Sequence, residues 1–296
     1  MKNPILYRIS QLTGFLLGAR VFVGLLLTFA LYVSTFFLFN QEESLRNFVF
    51  DFKVHGIIFC TVLSIFAGGI INQFYDREKD QLTKPFRTRI QNFLKQKYFL
   101  YAYLTLNILS LGIAYFISTR VFIFFLIYQF FMWFYSHKLS KILIINNLIF
   151  VSLTLYPFFG MMVYYHTFSV KVFLMAIFIF LILLIIDLTK DLLTKNADKI
   201  FSYQTITNVF GNRISKAIIV ILLILLYLVS MILVNKTGIH NILNLYFVSG
   251  LLVIILCIYL LLNSIKKSNF IVLNILRIWV FIGIIAMLFD GIIKRF

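Results

Sequence analysis

Long apolar runs without a single charge decide what this chain can become. Ile218–Val234 and Leu245–Leu262 carry no charged residue from end to end, and each approaches the ~20 residues a helix needs to cross the hydrocarbon core of a bilayer. Nine predominantly apolar spans follow one another, at roughly 14–39, 52–74, 98–117, 120–136, 142–165, 170–188, 217–234, 242–263 and 270–290. In lipid every backbone polar group must be satisfied within the protein, so spans of this length predict helices. The expected fold class is an all-α integral membrane protein, about nine transmembrane helices bundled around a central cytoplasm-facing cavity, as a single domain over residues 1–296.

Composition supports that frame. The chain is 62% hydrophobic and 12% charged, whereas a soluble domain is about 25% charged. The first span is too long for a cleavable leader, and no small-residue cleavage site follows it. Cys60 and Cys257 both fall inside apolar spans, where packing is the expected role. The net charge is +17. With the N-terminus inside, the cytoplasmic segments hold most of the 27 Lys and Arg, from Lys2 and Arg8 to Lys266, as the positive-inside rule asks. Localisation in the cell (inner) membrane with a cytoplasmic working face is expected. The basic charge serves topology and the aromatics (36 Phe, 16 Tyr) serve the membrane, so nucleic acid is not an expected partner.

Acidic residues are scarce, and their placement is selective. Of the ten, Glu42, Glu43, Asp51 and Asp290 are scattered, and the rest lie in two short clusters at span ends. The first runs Asn72-Gln73-Phe74-Tyr75-Asp76-Arg77-Glu78-Lys79-Asp80. Asn72, Asp76 and Asp80 are spaced by four, which makes one stripe on a helix, and Lys84-Pro85 predicts the helix end. The second is Asp187-Leu188-Thr189-Lys190-Asp191, completed by Asp198. If one helix continues that far, its three aspartates share a face. Ordinary helix chemistry would place a base four residues after Asp187, and Asp191 stands there instead. Carboxylates so crowded repel one another unless a cation is present. Hard divalent cations such as Mg²⁺ take oxygen ligands and share them with phosphates. A Mg²⁺ site, with two or more ions bridging a diphosphate, is the expectation.

A third segment, Tyr135-Ser136-His137-Lys138-Leu139-Ser140-Lys141, joins two spans on the same side, with Asn146-Asn147 beyond it. Its cations are candidates for diphosphate oxygens, or plain positive-inside charge. His137 has no second histidine nearby to make a metal pair.

These motifs together resemble the UbiA-type superfamily of intramembrane prenyltransferases. The family's first motif is Asn-Asp-x-x-Asp-x-x-x-Asp, matched here by Asn72, Asp76 and Asp80 with Gln73 in place of the usual Asp. Lys84-Pro85-Phe86-Arg87 is similar to its Lys-Pro-x-Arg turn. Its second motif resembles Lys190-Asp191 through Asp198, ending in Thr205-Ile206 and Phe210-Gly211. Tyr135-Ser136 with Asn147 downstream also looks like the family's. Two departures stand out. Leu193, Thr194 and Ala197 occupy positions where the second motif often carries a further acid and a glycine, and Ser140 stands where a lysine is expected.

The resemblance implies transfer of a polyprenyl group from an isoprenyl diphosphate to an aromatic or lipid-like acceptor, with release of pyrophosphate. Asp76 and Asp80 are then expected to hold one ion and Asp191 and Asp198 another, with Asn72 and Asp187 completing the ligand set. Arg20, Asn72, Arg87, Tyr135, Lys138, Lys141 and Lys190 are the candidates for binding diphosphate. A class I terpene cyclase on the same scaffold would use the same ionisation and keep the cation within the substrate. A non-catalytic lipid-binding or transport protein is the remaining class, and it should show charges near mid-membrane.

Overall fold

The computed structural model describes residues 4–40, 44–237, 241–263 and 267–295. Lys2, Glu42, Glu43 and Lys266 lie outside them. Among the described residues nine helices are long and apolar enough to cross a membrane. The chain divides into two compact units, Met1–Tyr32 with Glu42–Ser140, and Val33–Gln41 with Lys141–Phe296.

The first unit contains α1 (Pro4–Gly18), most of α2 (Val21–Ser34), α3 (Leu45–Val49), α4 (Phe52–Tyr75), α5 (Arg77–Thr83), α6 (Pro85–Gln91), α7 (Gln96–Ile117) and α8 (Thr119–His137). Side chains set the helix starts. The Asp51 carboxylate accepts from Lys53 N and Val54 N to open α4, and Ser118 Oγ accepts from Val121 N to open α8. The expected first span, 14–39, is broken in two: α1 stops at Gly18, and Arg20 takes the left-handed conformation (φ 52°) before α2 begins. Close packing explains the break. A Cβ on Gly69 of α4 would sit 2.8 Å from the Ala19 carbonyl oxygen, so backbone meets backbone there. α1 is left to pack on α6 rather than to continue the span.

Helices α4, α7 and α8 pack on one another around a buried polar chain. Gln129 Nε2 donates to Ser64 Oγ (3.2 Å), the Ser64 and Ser110 hydroxyls are 3.1 Å apart, and Ser110 Oγ donates to Cys60 O (3.1 Å). Because Ser110 has one hydroxyl proton and spends it on Cys60 O, Ser64 must be the donor between the two serines. Cys60 Sγ donates to Ser110 O at 3.3 Å. Both cysteines are free and fully buried, as packing residues should be.

The second unit contains a π-helical turn (Thr35–Phe39), α9 (Ile145–Tyr164), α10 (Val170–Ile200), α11 (Ile206–Thr237), α12 (Ile242–Leu262) and α13 (Ser268–Arg295). Arg295 Nη1 closes the π-helical turn by donating to Phe36 O (2.6 Å) and Asn40 O (2.8 Å). α10, α12 and α13 meet at Phe178, Tyr246, Phe247 and Trp279, all buried, with ring centroids 5.1–6.2 Å apart from Phe178. α11 kinks at Gly211 (φ 81°, ψ 171°), which leaves its helix without a side-chain clash. The span expected at 170–188 is longer than the apolar pattern alone indicates: α10 runs unbroken to Ile200 and carries the whole second acidic cluster.

Candidate functional site

In the first unit the spacing of four is realised as backbone hydrogen bonds in series. Asp76 N donates to Asn72 O, Asp80 N to Asp76 O, and Lys84 N to Asp80 O. The stripe therefore continues across the small irregularity at Asp76 between α4 and α5, and it stops at Lys84-Pro85 as expected. Asn72 Nδ2 donates to Asp76 Oδ2 (2.9 Å). Lys84 Nζ holds Asp80 Oδ1 (2.8 Å), and Thr83 Oγ1 lies 3.5 Å from the same oxygen. Asp80 is buried, and its Oδ2 has no hydrogen-bond partner.

Cations outnumber acids around Asp80. Burial alone would raise its carboxyl pKa, but Lys84, then Arg20 and Arg87, outweigh burial and hold the group below the ordinary carboxylate value. Burial and the neighbouring Arg20 charge push the Arg87 guanidinium down from its ordinary value, partly offset by Asp80. Arg87 Nη2 donates to Leu17 O, at the end of α1, which fixes the arginine of the Lys-Pro-x-Arg turn against the helix break that positions Arg20. The Nε atoms of Arg20 and Arg87 are both buried without a hydrogen-bond partner. Buried donors left unpaired cost about 1–3 kcal/mol each, so an acceptor brought here would offset that cost. Gln73 does not join the stripe. It is buried on α4, near Gly18, where a Cβ would come 2.4 Å from its Oε1.

In the second unit Asp187, Asp191 and Asp198 are all buried on α10. Ile144 (φ 65°) turns the chain so that Asn146 and Asn147 open α9. Asn147 Nδ2 donates to Asp187 Oδ2 (2.8 Å) and to Asp191 Oδ2 (2.9 Å). Lys190 Nζ pairs with Asp187 Oδ1 at 3.0 Å and lies 5.4 Å from the Phe150 ring centre. Thr194 Oγ1 donates to Asp198 Oδ2 at 2.6 Å, so a residue of the stretch that departs from the motif supports the last aspartate. Each ladder thus receives the same three kinds of partner: an asparagine amide, a lysine and a threonine hydroxyl.

The third segment is less convergent. Tyr135 is half-buried on α8, Lys138 is exposed at its end, and His137 stacks on Trp133 (centroids 5.5 Å, planes 4° apart). Lys141 turns toward the loop after α10: its Nζ is 5.3 Å from the Tyr203 ring centre, and its carbonyl accepts from Gln204 N. Ser140, where a lysine is expected, is buried. Sequence reasoning missed two features, the double bridge from Asn147 and the Thr194 contact. A buried asparagine beside a helix start was the available signal for the first, and Thr194 four residues before Asp198 for the second.

Mg²⁺ fits this donor set. The ligand atoms are hard carboxylate and amide oxygens, and Asp80 Oδ2 is buried and unsatisfied. Among the described residues no three His, Cys, Asp or Glu side chains cluster closely enough to cage an ion unaided. Mg²⁺ does not ask for that, since it is commonly held by one or two carboxylates, waters and substrate phosphates.

Comparison with known proteins agrees with the motifs. A profile described as the UbiA prenyltransferase family matches residues 45–270. Among solved structures, one concerned with digeranylgeranylglyceryl phosphate synthase in membranes shares 22% identity, covers 95% of this chain and 99% of its own, and superposes with a TM-score of 0.69. A UbiA homologue from Aeropyrum pernix K1 shares 16% identity over 91% of this chain and 96% of its own, with a TM-score of 0.67. A UbiA homologue from Archaeoglobus fulgidus, bound to DMAPP and Mg²⁺, shares 15% over 94% and 98%, with a TM-score of 0.64. No curated protein matches by sequence.

Proposed function

The chain belongs to the UbiA prenyltransferase family, and on that premise we propose that it is a Mg²⁺-dependent intramembrane enzyme that moves a polyprenyl group from an isoprenyl diphosphate to an aromatic or lipid-like acceptor and releases pyrophosphate. The observation that carries this reading is the pair of aspartate ladders at the ends of apolar spans, with Asp80, Asp187, Asp191 and Asp198 buried and each ladder already supplied with its own lysine. The single catalytic domain is taken to be residues 1–296.

Asp76 and Asp80, helped by Asn72, would hold one ion, and Asp191 and Asp198, helped by Asp187, another. When bound, Mg²⁺ supplies neutralisation of the leaving diphosphate's charge. The rest falls to this chain's own groups. Arg20 and Arg87 offer unpartnered buried donors to phosphate oxygens, and preorganised donors in a site with little water are worth more than in bulk. Lys84 and Lys190 pair with Asp80 and Asp187 before substrate arrives. Lys138, Lys141 and Tyr135 complete the candidate set on the connecting segment. Breaking the allylic C–O bond leaves an allylic cation, which the acceptor captures. The prenyl chain lies among apolar helices, with the reaction facing the cytoplasm of the cell membrane. The second motif's Lys190-Asp191 form and the Lys-Pro-x-Arg turn support trying lipid glycerol phosphates and homogentisate-type aromatic rings first among acceptors.

The test is pyrophosphate release by purified protein with Mg²⁺ and a panel of prenyl diphosphates, with and without glycerol-phosphate and aromatic acceptors. Acceptor-dependent release is expected, reduced about a hundredfold or more in Asp76→Ala. Acceptor-independent release with a hydrocarbon or alcohol product would replace this reading with the cyclase. No release with any pair would return the chain to the lipid-binding class.

A further inference from the structure

Two carboxyl groups stand one helical turn apart on α10, both buried, with a single nitrogen between them. Asn147 Nδ2 lies 2.8 Å from Asp187 Oδ2 and 2.9 Å from Asp191 Oδ2. Asn147 is 1% exposed, and its Oδ1 is buried with no hydrogen-bond partner. Chemistry fixes which end of the amide faces the acids. Both N–H bonds are needed to meet two carboxylate oxygens, whereas the amide oxygen would repel them. A cation drawn to this ladder would compete with the amide nitrogen for the same two oxygens.

We infer that Asn147 is a positioning residue that acts as a built-in placeholder for the cation of the second ladder, holding Asp187 and Asp191 together while no ion is present and yielding to Mg²⁺ when it arrives. This rests on the reading of the ladder as a metal site. The placeholder stabilises the ion-free state only, so it raises the Mg²⁺ concentration at which the ladder loads. The neighbouring groups do not replace it. Lys190 reaches the other oxygen of Asp187, Oδ1, and Thr194 serves Asp198.

The test uses the full-length protein in detergent, titrated with Mn²⁺ and read by the EPR signal of the free ion, for wild type, Asn147→Ala, Asn147→Leu and Asp191→Asn. Wild type should show a Mn²⁺ component that Asp191→Asn loses. In Asn147→Ala that component should bind about tenfold more tightly, the worth of roughly one charge-assisted hydrogen bond removed from the competing state. Asn147→Leu, whose methyl groups fill the place of the nitrogen, should bind no more tightly than wild type. Should the loss of the bridge weaken the fold, thermal unfolding gives the second readout: Mg²⁺ should raise the melting temperature of Asn147→Ala by more than it raises that of wild type. Unchanged or weaker binding in Asn147→Ala overturns the inference. So does tightening in Asn147→Leu, which would mean that the ion does not use the nitrogen's place. If Mn²⁺ binding survives Asp191→Asn, the ladder is not the metal site, and the assignment of ions in the proposed function falls together with the placeholder.

Discussion

Lys84 and Asp80 show how much one side chain decides at this site. Asp80 is 4% exposed, and only the cations around it keep its carboxyl below the ordinary value. A depressed carboxyl contributes stability that is complete above its unfolded pKa, about 3.9, and is lost as pH falls through the folded value. Replacing Lys84 by Met removes the largest of the compensating charges and leaves burial to act. Acid loss of stability should then begin at a higher pH than in wild type, as a shifted fall in melting temperature across mildly acidic buffers. An unshifted profile would mean that Arg20 and Arg87 alone hold the carboxylate. The spacing of Asn72, Asp76 and Asp80 was legible in the sequence because a helix turns four residues into one stripe. The arginines were legible only as candidates, since Arg20 reaches this neighbourhood through a helix break dictated by Gly69 and Ala19, which no local pattern announces.

At the scale of the helix, the chain Gln129, Ser64, Ser110 and the Cys60 carbonyl ties three spans together in a setting where apolar contact gives little preference for protein over lipid. Ser110→Ala removes the acceptor of Ser64 and the donor to Cys60 O. It should lower stability by about 0.6–1.7 kcal/mol, the range measured for such bonds in membrane bundles, as seen in unfolding with a denaturing detergent. No change would mean that the serines find other partners. The apolar runs fixed the number and type of the spans, and the structure adds the Asp51, Ser118 and Ser169 caps at the starts of α4, α8 and α10. The end of α10 was the harder limit. Apolar patterning stops near Asp187, while the helix continues on polar residues that Asn147, Lys190 and Thr194 satisfy from outside the reach of a hydropathy reading.

For the whole molecule, the proposed orientation can be tested because both native thiols are fully buried and should give a silent background. Thr119→Cys, exposed at the start of α8, should react with an impermeant maleimide on intact cells, and Lys199→Cys, exposed near the end of α10, only after permeabilisation. The reverse pattern would invert the chain. One further property follows from the unbroken course of Val170–Ile200. At ~1.5 Å per residue this rod is about 46 Å long, against a hydrocarbon layer of about 30 Å. Its apolar part and its carboxylates lie on one continuous helix. In the proposed orientation that makes the rod a depth gauge: a thicker or thinner bilayer must tilt it or deform around it, carrying the acids toward or away from the plane in which lipid headgroups lie.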